Sequence, residues 1–167
     1  MVELPFTLNN LHFREAVPHF AVEPHRHRQQ QMYLCLHGAV TITIAGVAYP
    51  LHGDEAVAVP AGVDREVTVG SRASGYLVMM FETGPDIDLA VLHGRTHSLT
   101  AELVDDVRAL VAEVRNPVGS DSKLLCVVLA LRLLLGLRRA ARPADSGKRL
   151  SMLNASEHQR VVTQAEA

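Results

Sequence analysis

The chain of 167 residues has no tryptophan, and its few phenylalanines and tyrosines bring the aromatic share to only 4%. So few aromatics argue against the stacking surfaces on which proteins lay single-stranded bases. They also imply a core built from Val, Leu and Ala. Cysteine is limited to Cys35 and Cys126, each inside an apolar run, where a reduced, buried thiol is expected rather than a disulfide or a metal ligand. No nucleophile elbow, phosphate loop or nucleotide-binding glycine pattern is present. The most apolar stretch, Leu124 to Leu137, is 14 residues long and carries Arg132. It is too short and too charged to span a bilayer, so a buried helix and no membrane association are expected. Positive charge is absent before Arg14 and Met1 to Asn10 has no continuous apolar stretch, which argues against a secretory signal and for a cytoplasmic location.

At 48% hydrophobic residues the chain can bury one real core and has little left for a second, so one domain with an appendage is expected. The formal net charge of −2 hides an asymmetry: residues 1–131 carry 9 Lys and Arg against 15 Asp and Glu, and residues 132–167 carry 7 against 3. The larger, acidic part repels a phosphate backbone, and the basic excess at the end is too thin for binding driven by counterion release. Weak or no DNA binding is expected of this chain alone.

From Met32 the pattern is that of strands. Met32 to Leu36 and Val40 to Ile44 flank a His37-Gly38 turn, with Val40, Ile42 and Ile44 sharing a face. Ala45-Gly46 turns the chain into Val47 to Tyr49, and Leu51 to Asp54 turns it into Glu55 to Val59, which stops at Pro60-Ala61-Gly62. Glu66 to Val69 and Tyr76 to Phe81 follow, with Asp88 to Leu92 as a possible last strand. Short strands with turn signals every eight to twelve residues indicate a mainly β barrel or sandwich.

After Thr96 the period changes to that of a helix, with Leu103, Val107, Leu110, Val111 and Val114 on one stripe. Ser98 or Thr100 can cap this helix and Asn116-Pro117 ends it. Gly119-Ser120-Asp121 caps a second, antiparallel helix from about Ser122 to Arg139, which is apolar nearly all round. One of its faces can cover the barrel. The other, with Leu124, Val127, Val128, Leu131 and Leu135, needs a partner, and the same helix of a second copy across a two-fold axis is the simplest. A homodimer is therefore expected, the alternative being that the first helix covers this face.

The chemistry concentrates in Pro24-His25-Arg26-His27, with Gln31 and Gly38 after it, and then Gly53 and Pro60-Ala61-Gly62. Histidines at i and i+2 of a strand project from one face, so His25 and His27 can address one point inside a barrel. This pattern resembles the cupin superfamily, whose first motif is His-x-His, then Glu four residues on and Gly seven residues after that; its second is Gly followed by Pro-x-Gly-x-x-His. The resemblance, over roughly residues 20–95, implies a cupin-type β-barrel (a double-stranded β-helix or jelly roll), here followed by two antiparallel α-helices. It departs from the family at two of four metal-ligand positions, where Gln31 replaces the Glu and Arg65 the last His. A fixed cation and the loss of two donors disfavour a divalent metal. The same residues suit a small polar or anionic ligand, with Arg65 as a planar fork and His25, His27 and Gln31 as neutral neighbours. Tyr33 and Phe81 complete the candidate ligand set, with core packing as their plainer role. Likewise, His25 and His27 could be solvated rim residues, and Arg65 could pair on the surface with Asp64 or Glu66.

The order of barrel, helix pair and linker resembles the AraC family (arabinose-operon regulators), in which a cupin-like ligand-binding domain and a helical dimerisation segment precede a DNA-binding domain. The resemblance implies an N-terminal arm over 1–18, with Leu4 and Phe6 as apolar anchors, a barrel over 19–95 and a dimerisation segment over 98–142. Residues 143–167 would be a linker and the start of a DNA-binding domain that is otherwise absent, Glu157 to Ala167 resembling its first helix. The expected function is that of the sensor and dimerisation half of a transcription regulator. It would have no catalysis and no cofactor, with a small effector and a second copy as partners and DNA reached only through the missing domain. The alternative is a metal-dependent cupin dioxygenase or isomerase using His25, His27 and Gln31.

Overall fold

The computed structural model describes residues 3–142; the readings of 143–167 as a linker and the start of a further domain lie outside them. Two antiparallel sheets face each other. Strands β1 (Phe6–Ala16), β3 (Gln30–His37), β6 (Glu55–Val59), β8 (Ser74–Thr83) and β9 (Thr96–Ser98) form one sheet in the order β1-β8-β3-β6-β9. Strands β2 (Ala21–His25), β4 (Ala39–Ile44), β5 (Val47–His52) and β7 (Arg65–Val69) form the other in the order β2-β7-β4-β5. Setting β9 aside, consecutive strands alternate between the sheets from β1 to β4 and the order is that of two Greek keys, a jelly roll. Helices α1 (Ala101–Arg115) and α2 (Ser122–Ala141) follow. The expected architecture, mainly β and then two helices, is the one observed.

Alternation along the strands divides the core in two. Tyr33, Cys35, Val57, Val59, Tyr76 and Val78 face the second sheet and pack with its Val40, Ile42, Leu51 and Val67. Their neighbours Met32, Leu34, Ala56, Ala58, Leu77 and Met79 face outward, where Leu103, Val107 and Leu110 of α1 and Ala130, Leu133, Leu134 and Leu137 of α2 cover them. The five-stranded sheet is therefore buried on both faces, which is why β3 and β8 read as continuous apolar runs rather than as an alternation.

Three expectations change. Residues 6–16, expected within an arm, form the longest strand, paired with β8 from Phe6↔Thr83 to Ala16↔Ser74 with an irregularity between Leu8 and Asn10. That irregularity breaks the alternation by which the strand would have been recognised. Asp88 to Leu92, expected as a strand, ends in a 3-10 turn, Ala90–Leu92. The Asp88 carboxylate accepts from the Ala90 N–H at 2.9 Å, and Leu89 and Leu92, three residues apart, are both buried. The last strand is instead β9, paired with β6. Finally, Asp121 makes no capping bond to α2; the Ser122 hydroxyl donates to Glu113 at 2.5 Å and ties the start of α2 to α1. Thr100 does cap α1, accepting from Leu103 N.

Two motif glycines are explained by backbone geometry. Gly38 has φ +72°, and a Cβ there would run into Ser74 Oγ and the Ala73 carbonyl. Gly62, at φ +73°, donates its N–H to the His27 carbonyl at 2.7 Å, joining the loop after β2 to the loop before β7.

Candidate functional site

That hydrogen bond and an ion pair between Arg26 and Asp64, at 2.7 and 3.2 Å, staple two loops over one end of the barrel. Asp64 is thereby engaged with Arg26, and Arg65 turns the other way. Arg65 is only 4% exposed. Its Nε donates to the Tyr33 hydroxyl at 2.6 Å and its Nη1 to the His25 carbonyl at 3.3 Å, with the guanidinium carbon 5.7 Å from the centre of the Tyr33 ring. Among the described residues no carboxylate pairs with it. Surface pairing with Asp64 or Glu66 is therefore not what this arginine does.

Strand register assembles the rest. Tyr33 lies across from Val78, and Val78 from His12 on β1. Gln31, 3% exposed, lies one step along β3 on the same face, opposite Val59 and Met80. His25 is the last residue of β2 and the cross-strand neighbour of Arg65. His27 is two residues beyond β2 in the loop, rather than on the strand as expected, yet the two imidazoles meet edge to face with centroids 5.1 Å apart. The His25 Nδ1–H donates to the Glu23 carbonyl at 2.7 Å; a carbonyl only accepts, so this nitrogen carries a proton.

The local field is positive. Burial first, and then the Arg65 charge and His25, push the His27 pKa down. His12 is lowered by burial, then by Arg14 and Arg65. The Tyr33 phenol is raised by burial against the opposing pull of Arg65. No acidic group is among these causes, although the first 131 residues carry an excess of carboxylates. At neutral pH the site therefore presents the fixed Arg65 cation beside the neutral Tyr33 phenol and the neutral imidazoles of His12 and His27.

Phe81 does not belong to it. It stands opposite Gln30 on β3 and Leu8 on β1, so it faces the helices and stacks 5.8 Å from the Phe6 ring in the outer core. One residue of register decides this, because neighbours on a strand point to opposite faces. His12, by contrast, was not read as a site residue. Its signal was the position of His12 and Arg14 at every second residue, legible only once residues 6–16 are known to be a strand. Two other histidines make structural contacts. His37 pairs with Glu15 at 3.0 Å and His97 bonds the Leu92 carbonyl at 2.9 Å. Cys35 is fully buried with its thiol pushed up to about 11, chiefly by burial.

The donor set does not fit a divalent cation. Gln31 offers a neutral oxygen, Arg65 only N–H donors, and among the described residues no three His, Cys, Asp or Glu side chains are grouped to hold a metal.

A second feature lies on the helices. Leu124 and Val128 are 63% and 52% exposed. With Val127, Leu131 and Leu135 they line a groove of about 420 Å³. Asp106, buried in its wall, faces the exposed Arg132 at 3.1 Å. α1 forms the groove's other wall with Glu102, Leu103 and Asp106, Leu103 packing against Gly136, but leaves Leu124 and Val128 exposed. No described helix is long and apolar enough to cross a membrane.

Paired sheets in jelly-roll order, with the site at one end between them, define a cupin-type barrel. Residues 13–81 match the family described as Cupin domain. No curated protein sequence matches the chain. Among solved structures, the chain resembles the cupin domain of Schizosaccharomyces pombe Cnp3, with 15% identity and a TM-score of 0.41 over 50% of this chain and 59% of that one. It also resembles an RmlC-like cupin from Shewanella frigidimarina, with 17% identity and a TM-score of 0.41 over 46% and 68%. KdgF from a Halomonas species gives 18% identity and a TM-score of 0.38 over 43% and 66%. The chain thus spans less than two thirds of the first of these proteins and about two thirds of the other two.

Proposed function

We propose that this chain is the effector-binding and dimerisation part of a cytoplasmic AraC-type transcription regulator, a binding module rather than an enzyme, which reaches DNA only through a further domain. The observation that carries the reading is Arg65: a guanidinium 4% exposed inside a barrel end, held by a phenol and a carbonyl and left without a carboxylate among the described residues. Burying a charge without a counter-ion is costly. A binding site explains why it is there, because a ligand supplies the missing partner.

The second support is the link from that site to the groove. Gln31 and Tyr33 of β3 face the site, while Met32 and Leu34 between and beside them touch the outer core under the helices. A ligand that shifts β3 alters the seat of α1 and α2. It acts as a signal only to the extent that it binds one arrangement more tightly than the other. The groove on α2, with its apolar strip and charges of both signs, suits a two-fold contact in which Arg132 of each copy can approach the acidic wall of its mate.

A metal-dependent dioxygenase or isomerase would need His25, His27 and Gln31 to hold an ion beside Arg65, and repulsion by that fixed charge works against it. The test is a thermal-shift screen of carboxylates, sugars and divalent metals, with elemental analysis of the purified protein. Stabilisation by an organic ligand that Arg65→Gln abolishes is the expected result. Stoichiometric metal lost on His25→Ala or His27→Ala would overturn the proposal.

A further inference from the structure

The groups at the barrel end are unequal in a way that selects ligands. On Arg65, Nε is taken by Tyr33 and one Nη1 hydrogen by His25. Nη2 has no hydrogen-bond partner among the described residues, so the end-on fork of Nη1 and Nη2 keeps a free edge. Because the Tyr33 oxygen accepts from Nε, its own O–H is left to donate. His27 and His12 each keep an N–H when neutral, and Gln31 adds an amide. Among the described residues no carboxylate pairs with Arg65. Sugar hydroxyls both donate and accept, and a site for them supplies strong acceptors as well as donors. This one supplies a cation and donors, and its acceptors are only the weak neutral lone pairs of imidazole and amide.

Depth points the same way. Beyond Tyr33 the interior is filled by Val40, Ile42, Leu51, Val57 and Val67, all buried and packed together, so a ligand is held at the mouth by a small head group. Resting on the reading of this barrel end as a ligand site, we infer that it selects an oxyanion head group, a carboxylate or a phosphate, over neutral sugars and amides. Arg65 supplies the charge, Tyr33 a directed donor, and His12 is a contact from β1. A planar fork and a phenol converging on one anion form charge-assisted bonds, which are stronger than neutral ones.

Nuclear magnetic resonance titrations of the full chain labelled with 15N test this, using acetate, inorganic phosphate, acetamide and D-glucose at one ionic strength held with sodium chloride. The expected result is saturable shifts at the amides of His12, Tyr33 and Arg65 with acetate or with phosphate, and none with acetamide or glucose. The responding anion tells a carboxylate ligand from a phosphate one. Tyr33→Phe, which keeps the ring and so the packing, is expected to weaken the anion about tenfold or more while leaving shifts elsewhere unchanged. Arg65→Lys, which keeps the charge but not the fork, weakens it too. Acetamide or glucose binding there as tightly as acetate, or anion binding indifferent to Tyr33→Phe, would overturn the oxyanion assignment while the ligand site itself stood. No saturable shift at these residues with any of the four probes would overturn both.

Discussion

Val128→Asp is the sharpest perturbation of the proposed dimer. Val128 is 52% exposed on the outer face of α2, one turn after Leu124 at 63%, so the substitution touches little of the chain's own core. Valine and aspartate have similar helix propensities, and a surface exchange of this kind changes monomer stability by about 0.5 kcal/mol or less. In a two-fold contact the same change occurs twice. Losing two half-buried valines removes about 2 kcal/mol of apolar burial. Placing two carboxylates against an apolar partner adds about 3 kcal/mol or more. Together they weaken association by about 5 kcal/mol, more than a thousandfold in dissociation constant. Sedimentation equilibrium over a concentration series, with thermal unfolding of the same samples at low concentration, separates the two effects. The expected outcome is a dimer that becomes a monomer with an unchanged fold. A wild-type chain that stays monomeric at high micromolar concentration, or a variant that dimerises as tightly as the wild type, would refute the assignment of this face.

Three further outcomes are expected. Phe81→Ala opens a hole beside Phe6 under the helices and should cost about 3–5 kcal/mol in denaturant unfolding. Ligand affinity measured on the folded fraction should be unaffected, because Phe81 is on the far face of the sheet; a large loss of affinity without destabilisation would put it back in the site. Gly38→Ala forces a side chain into the left-handed region and onto Ser74 Oγ and the Ala73 carbonyl, so a loss of about 2 kcal/mol or more is expected, and an unchanged melting temperature would contradict the turn geometry. Stability should also fall on acidification: His12, His27 and His93 all have folded-state pKa values below the ordinary 6.5, so below about pH 6.5 the unfolded chain binds more protons than the folded one. Chemical denaturation at pH 7, 6 and 5 should show a decline that is smaller in His12→Gln; a decline of the same size in that variant would argue against His12 as one of its sources.

Much of this protein was decided locally. The strands from Met32 to Phe81 follow from β-branched runs punctuated by Gly and Pro, and α1 and α2 from a change of period and from Thr100 and Pro117, because these signals act within a few residues. The apolar outer stripe of α2 was legible for the same reason: a helix shows its faces in its own sequence. The proximity of His25, His27 and Arg65 followed from motif spacing. What tertiary structure decided is which face each strand residue takes and what meets it there. With β3 and β8 apolar on both faces, sequence could not tell that Tyr33 looks into the barrel and Phe81 away from it; only the register with β1 and β6 does. His12 entered the site because it pairs with Val78 of β8, 66 positions away in the chain, and such a contact leaves no local trace. Arg65 lost its surface reading because pairing of β7 with β2 and β4 buries it against Tyr33 and the His25 carbonyl. Periodicity settles what a segment becomes, whereas pairing between distant segments settles what its side chains face, and the site is made of such pairings.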